Sequence, residues 1–461
     1  MAVEAYDAVV LGAGQAGTPW AVALAKTGRR TALVERTHVG GTCINEGCTP
    51  TKTMVASAAV ASAARRAAGY GVRTGPVTVD MARVRQRKRD IVDSFRSGGE
   101  RRLVEAGVVL LRGEGRFLGP GRIRVSGQDD RELTAPQVFV NTGCRPSRPP
   151  IPGLDAVPFL DSTSIMELGA VPEHLVVLGG GYIAVEFGQM FRRFGAQVTL
   201  VERSAQLLGR EDPDVARALA DILVEDGLAV RLERQVTSVG PGSDNGVAVE
   251  IRGPDGRAER IAGSHLLVAV GRSPNSEALD LPAAQVETDG RGYIRVDEHL
   301  RTSAAGVFAM GDVTGAPAFT HVSYDDFRIL RDNLLEGGQR STTGRLVPYT
   351  LFSDPQLGRV GLTETEARRT NPDVRVAAMP MSHVARALET DQARGLLKAV
   401  VEGRTRRILG FAALGLEGGE LCSVVQAAML GGLDSRGLRD AIFPHPGLAE
   451  SLNNLFSLLD A

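Results

Sequence analysis

Asp7-Ala8-Val9-Val10-Leu11-Gly12-Ala13-Gly14-Gln15-Ala16-Gly17-Thr18 is a short apolar run that opens into three glycines spaced GxGxxG. An apolar helix is expected over 18–27, closed by Gly28, and a second strand over 31–34 carries Glu35 at its end. Strand, glycine turn, helix, strand and acid, in that order, describe a dinucleotide-binding βαβ unit. Gly12, Gly14 and Gly17 let the backbone approach a pyrophosphate at the helix N-terminus, where unpaired N–H groups and the helix dipole favour an anion. Glu35 is then the acceptor for the adenosine ribose. GxGxxG alone is a weak signal, and a glycine turn without a ligand is the plain alternative; the surrounding order decides between them.

The unit recurs. A strand over 175–178 leads into Gly179-Gly180-Gly181-Tyr182-Ile183-Ala184, a helix over 185–194, Gly195, a strand over 198–201 and Glu202. Two such units imply two nucleotides, and electron transfer between a nicotinamide carrier and a flavin is the economical reason to own both. The fold class expected is α/β with two Rossmann-like dinucleotide-binding domains, followed from about Arg345 by a segment of mixed strand and helix.

Downstream of the first unit lies Gly40-Gly41-Thr42-Cys43-Ile44-Asn45-Glu46-Gly47-Cys48-Thr49-Pro50-Thr51-Lys52. Residues five apart in a straight helix have Cα atoms roughly 8 to 9 Å apart, whereas a disulfide wants them under about 7 Å. A bridge between Cys43 and Cys48 therefore needs a bent helix entry, which Gly47, through unusual dihedrals, and Pro50, in a first turn, are suited to give. A helix from about Thr49 to Ala68 would aim its N-terminal dipole at Cys48 and lower its pKa. Two unrelated buried cysteines are the alternative; the flanking Gly-Gly and Pro-Thr-Lys favour a redox-active dithiol beside a flavin.

The whole chain sets bounds on this reading. At 461 residues it is too long for one ordinary core, and a formal net charge of -1 gives no electrostatic reason to expect nucleic acid or anionic membrane as a partner. Only four cysteines occur, Cys43, Cys48, Cys144 and Cys422, too few for a secreted disulfide scaffold. The first residues read as a strand, not a signal peptide, and no apolar run is long enough for a membrane span, so a cytoplasmic protein is expected. No metal-ligand cluster is expected. The basic run Arg83, Arg85, Arg87, Lys88 and Arg89 falls in a helical stretch over 80–105 and reads as a solvated helix face. Residues 145–153, with four prolines, read as a linker. Trp20 and the Met379 to Met381 segment read as core.

Taken together these landmarks resemble the flavoprotein disulfide reductases, the family of dihydrolipoamide dehydrogenase, glutathione reductase and mercuric reductase, over nearly the whole chain. The resemblance implies an FAD domain over 1–150 and 270–340, an NAD(P) domain over 151–269 and a C-terminal α+β dimerisation domain over 341–461. It implies a homodimer with the active site shared between subunits, in which NAD(P)H reduces FAD and the flavin reduces a Cys43–Cys48 disulfide. Gly41, Thr42, Gly115, Thr142, Gly143, Asp312 and Ala318-Phe319-Thr320-His321 join the flavin contacts, with Asp312 on the ribityl chain. Lys52 and Glu186 would pair near the flavin N5, and Tyr182 would be the gate displaced by nicotinamide. Gly179, Gly181, Ile183, Glu202, Gly271 and Arg272 complete the nucleotide sites, and Arg386-Ala387 matches an interface motif. His445, oriented by Glu450, would be the acid-base.

Within the family the tail lacks the cysteine pair of mercuric reductases, and Glu202 argues for NADH because an acid would repel a 2′-phosphate. The stretches 319–329 and 450–456 look closest to the mercuric-reductase-like branch, which includes a flavoprotein that reduces copper(II). The acceptor expected is a small disulfide or a metal ion. Dihydrolipoamide dehydrogenase, and a redox sensor without turnover, stand as alternatives. Cys144 and Gly447 depart from the family pattern; Cys144 reads as a packed small side chain before a third redox thiol.

Overall fold

A computed structural model describes residues 3–460. The chain forms two compact units, the first made of 1–54, 82–147 and 271–345, the second of 55–81, 148–270 and 346–461.

The first unit is built on a five-stranded parallel sheet in the order Val307–Ala309, Gln137–Val140, Ala8–Leu11, Thr31–Glu35, Val109–Arg112. Ala8–Leu11 is buried throughout, as a strand covered on both faces must be. Leu11 pairs with Val34 on one side and Val140 on the other, and Val140 pairs with Ala309. This register brings Gly12, Glu35, Asn141 and Met310 to one sheet edge. The neighbours of the central strand are reached in opposite directions, so this edge is a topological switch point, where open α/β sheets take ligands. Helix α1 (Gly17–Lys26) follows the glycine turn, α2 (Gly41–Asn45) and α3 (Cys48–Arg66) carry the cysteines, and α4 (Met81–Glu105) follows.

Trp20 is fully buried and meets Phe139 edge-on at 5.0 Å. Within α4 the expected solvated face is only partly so, because Lys88 is buried. The expected linker also begins in structure: Cys144–Pro146 is a strand paired with Arg272–Pro274. Its prolines tolerate this because a two-stranded ribbon leaves an open edge for residues that lack an N–H.

The second unit holds the second parallel sheet, in the order Ala229–Arg231, Gln197–Val201, His174–Leu178, His265–Val268. Helix α5 (Tyr182–Phe194) starts three residues earlier than the sequence suggested, directly after the glycine turn. A three-stranded antiparallel meander covers this sheet. The C-terminal sheet is antiparallel and five-stranded, ordered Tyr349–Leu351, Gln356–Gly361, Ile408–Gly415, Leu396–Glu402, Val374–Pro380, and Met379 and Met381 lie in its core. Among the described residues no helix is long and apolar enough to cross a membrane.

Candidate active site

The two cysteines lie on separate short-range elements because the helix breaks between them. Helix α2 stops at Asn45, Glu46 follows at φ -140°, and α3 begins at Cys48, one residue before the expected start. Gly47 does not use the left-handed region, contrary to the dihedral argument. It is needed for space: a Cβ there would lie 2.9 Å from Thr42 O and 3.4 Å from Cys43 Cα. Glycine thus lets one helix end fold tightly onto the next, and Pro50 falls in the first turn of α3, where its missing N–H costs nothing.

Cys43 is half-buried and Cys48 exposed. The Cys43 thiol is held far above its ordinary pKa, first by the hydrogen bond it shares with Cys48 and then by burial. Cys48 Sγ lies 3.4 Å from Thr320 Oγ1 at the start of the helix Thr320–Leu335, which Phe319 caps. Ala318 and Phe319 precede this helix, and the Phe319 and His321 rings stack at 5.3 Å.

The cysteine loop is pinned to the first glycine turn. Gly40 N donates to Ala13 O at 2.8 Å, Gln15 Nε2 donates to Gly40 O at 3.0 Å, and a Cβ on Gly41 would come within 2.8 Å of Gly14 Cα. Gly12 has φ +100°, with Asn141 O 2.4 Å from where a Cβ would sit. Ala16, at the N-cap of α1, offers no side-chain oxygen to the N–H groups of the first turn. The buried Glu35 carboxylate accepts from Ala13 N at 2.9 Å and from Thr37 N at 2.9 Å, so it shapes the turn. Gly115 is packed inside, a Cβ there lying 2.8 Å from Leu11 Cδ2.

Thr142 and Gly143 are tied to Asn275: Thr142 Oγ1 donates to Asn275 O at 2.8 Å, and Asn275 N donates to Gly143 O at 2.9 Å. Asp312 sits in a one-turn helix after Met310, and burial raises its carboxyl pKa while Arg272 opposes the rise. Cys144 is buried, its thiol 3.4 Å from Asp312 O, and burial pushes its pKa up to about 11. It stays protonated at neutral pH, which agrees with the packing role.

The second glycine turn repeats the first. Gly179 has φ +113° with Ala269 O 2.4 Å from a Cβ position, and Gly179 N donates to Val201 O as Gly12 N does to Val34 O, each at 2.8 Å. Gly181, the N-cap of α5, is exposed with nothing near its Cβ position, which leaves the helix N-terminus open to an anion. Glu202 Oε1 accepts from Ser204 N at 2.8 Å. Tyr182 packs on Tyr349 at 5.5 Å, and Ile183 follows it half-buried. The buried Glu186 accepts from Phe352 N at 2.9 Å; Lys52 is half-buried on α3. Gly271, at φ +134°, turns the chain into Arg272.

Near the C-terminus, His445 is 70% exposed and its Nδ1 lies 2.9 Å from Glu450 Oε2. Gly447 is required locally, because a Cβ would lie 2.7 Å from Pro444 O. Among the described residues no group of three or more acids, histidines and cysteines is placed to hold a metal ion. The signal that the sequence reading missed is Asn141, whose neighbours Thr142 and Gly143 it did select.

The residues present fit two dinucleotides, one at each glycine turn, with a dithiol beside the first. The chain belongs to the pyridine nucleotide-disulphide oxidoreductases: that family's pattern matches residues 6–326, and the pattern of its dimerisation domain matches 347–456. Its members are FAD-containing, NAD(P)H-dependent oxidoreductases. The chain is 39% identical to the probable pyridine nucleotide-disulfide oxidoreductase RclA of Escherichia coli, over 98% of this chain and 99% of that one. It is 34% identical to a mercuric reductase of Staphylococcus aureus, covering 97% of this chain and 81% of the relative. A dihydrolipoyl dehydrogenase of Thermus scotoductus is 33% identical, with 98% and 96% covered. Among solved structures, the Cu(II) complex of the HOCl-induced flavoprotein disulfide reductase RclA from Escherichia coli superposes with a TM-score of 0.90 at 38% identity, covering 99% of this chain and all of that one.

Proposed function

We propose that this enzyme passes electron pairs from NADH through the Cys43–Cys48 couple to a small disulfide or, one electron to each, to two copper(II) ions. Bound FAD supplies the two-electron link between nicotinamide and sulfur. The observation that carries the reading is the thiol pair itself: two cysteines brought within hydrogen-bond reach by a helix break, against a loop pinned to the FAD turn. Cys48, which lies beside Thr320, would be the sulfur next to the bound flavin. Cys43 is the interchange sulfur; it attacks a disulfide substrate or ligates a soft metal ion once its proton has left.

His445, its Nδ1 against Glu450, holds and returns that proton from Nε2. Its exposure, together with the exposed Leu430, Leu433 and Ile442, supports a homodimer in which the partner subunit's His445 serves each dithiol. The FAD domain spans 1–150 and 270–340, the NAD(P) domain 151–269 and the dimerisation domain 341–461, and the enzyme works in the cytoplasm. The Cu(II) complex known for RclA supports the metal-ion acceptor.

The test is steady-state NADH oxidation by purified enzyme with copper(II), small disulfides and quinones, beside NAD reduction by dihydrolipoamide. Turnover with copper(II) or a disulfide, lost in Cys43→Ser, is expected. The His445–Glu450 pair favours one second reading, a dihydrolipoamide dehydrogenase, which faster dihydrolipoamide turnover than any other would establish. A single stoichiometric reduction without turnover would mean a redox sensor.

A further inference from the structure

We propose that Asn141 is a positioning residue for the flavin: its side-chain amide locks the pyrophosphate turn and the Gly311-Asp312 turn at one fixed separation, so that two distant points of a single cofactor meet a preformed site. Asn141 follows the strand Gln137–Val140 and is only 6% exposed. Its Oδ1 accepts from Gly17 N at 2.9 Å, and its Nδ2 donates to Met310 O at 2.8 Å. A backbone N–H can only donate and a carbonyl can only accept, so these two contacts fix the amide's orientation without ambiguity. Helix α1 has no side-chain cap of its own, Ala16 occupying that place. Asn141 caps it instead, from a position 124 residues along the chain.

The glycines of both turns are fitted to this amide. A Cβ on Gly14 would lie 2.5 Å from Asn141 Oδ1, one on Gly17 3.1 Å from the same atom, and one on Gly311 2.8 Å from Nδ2. The fingerprint glycines therefore do two things: they let a pyrophosphate approach on one side and admit a buried amide on the other. Gly311 is held from a second direction, its N–H donating to the fully buried Asp326 at 2.8 Å, which Arg345 pairs at 2.6 Å. A buried amide with both ends satisfied leaves little freedom to any group it bonds. Here the bonded groups are the last glycine of GxGxxG and Met310, which opens the Gly311-Asp312 turn two residues before the ribityl acid.

The test uses full-length holoenzyme carrying Asn141→Ala or Asn141→Asp, with Trp20→Phe as a control that disturbs the packing on Phe139 and leaves both Asn141 hydrogen bonds in place. Flavin fluorescence released on dilution gives the FAD dissociation constant, and far-ultraviolet circular dichroism gives the backbone unfolding midpoint. Losing both amide bonds is expected to weaken FAD binding about tenfold or more, with flavin release on heating moving down further than backbone unfolding. Trp20→Phe is expected to lower both midpoints together and leave the dissociation constant unchanged. A constant within threefold of the parent in Asn141→Ala, or flavin release falling only in step with unfolding as in the control, overturns the proposal. If Asn141→Ala yields no folded protein, Asn141→Asp decides: it keeps the size and the acceptor for Gly17 but cannot donate to Met310, and unchanged FAD affinity there overturns the proposal equally.

Discussion

Replacing Glu211 by Gln should make the protein's stability less dependent on pH, and the size of the effect follows from burial. The Glu211 side chain is completely buried and meets Arg359, itself only 5% exposed, through one Oε2 to Nη1 contact at 3.4 Å. Glu211 Oε1 and Arg359 Nη2 have no hydrogen-bond partner among the described residues. Burial pushes the carboxyl from 4.5 up to about 7; Arg359 opposes the rise, and Asp212 and Glu366 add to it. A shift of that size corresponds to about 3 kcal/mol between the two protonation states.

The folded-state pKa is raised, so the stabilising contribution of the proton is complete below the unfolded value of 4.5 and is lost as pH rises through about 7. Gln keeps the shape and cannot ionise. The stability of Glu211→Gln minus that of the parent should therefore rise by about 3 kcal/mol between pH 4.5 and pH 8, then level off. Guanidinium unfolding followed by circular dichroism, at fixed protein and FAD concentration, measures this difference. A constant offset between the two proteins does not matter, only its slope with pH. A difference flat to about 0.5 kcal/mol across the range would refute the reasoning and mean that Glu211 ionises as it does in water.

Other consequences are direct. Cys48→Ser should abolish the long-wavelength absorption of the two-electron-reduced enzyme, whereas Cys43→Ser should keep a thiolate band and lose the acceptor; full activity in both would show the dithiol to be incidental. His445→Gln should slow dithiol turnover by roughly 100-fold or more, with flavin content and NADH binding unchanged. Glu202→Ala should raise kcat/KM for NADPH about tenfold relative to NADH, since an acid at that strand end repels a 2′-phosphate.

Much of this protein can be read directly from its residues. Local order alone identified both glycine turns, because strand, turn, helix and acid follow one another within about 30 residues and each is set by short-range sterics. The family pattern then matched most of the chain. The cysteine block was equally legible, although the reason for Gly47 was not: it is the approach of Thr42 from the preceding helix that demands a glycine, and a sequence does not show what a missing Cβ would strike. Lys88 in α4 and the strand at Cys144–Pro146 escaped the reading for a similar reason, since burial and pairing depend on what arrives from elsewhere in the chain.

The sequence by itself determined that there are two glycine turns of the nucleotide-binding kind and one pair of cysteines five positions apart, because those properties are written in contiguous residues with fixed spacing. Only the tertiary structure decided which groups hold those pieces in place. Asn141 reaches Gly17 and Met310 across 124 and 169 positions, and Glu211 reaches Arg359 across 148. Such contacts are made by sheet register and by burial in a shared interior, and those come from the whole chain folding on itself and not from any one stretch of it.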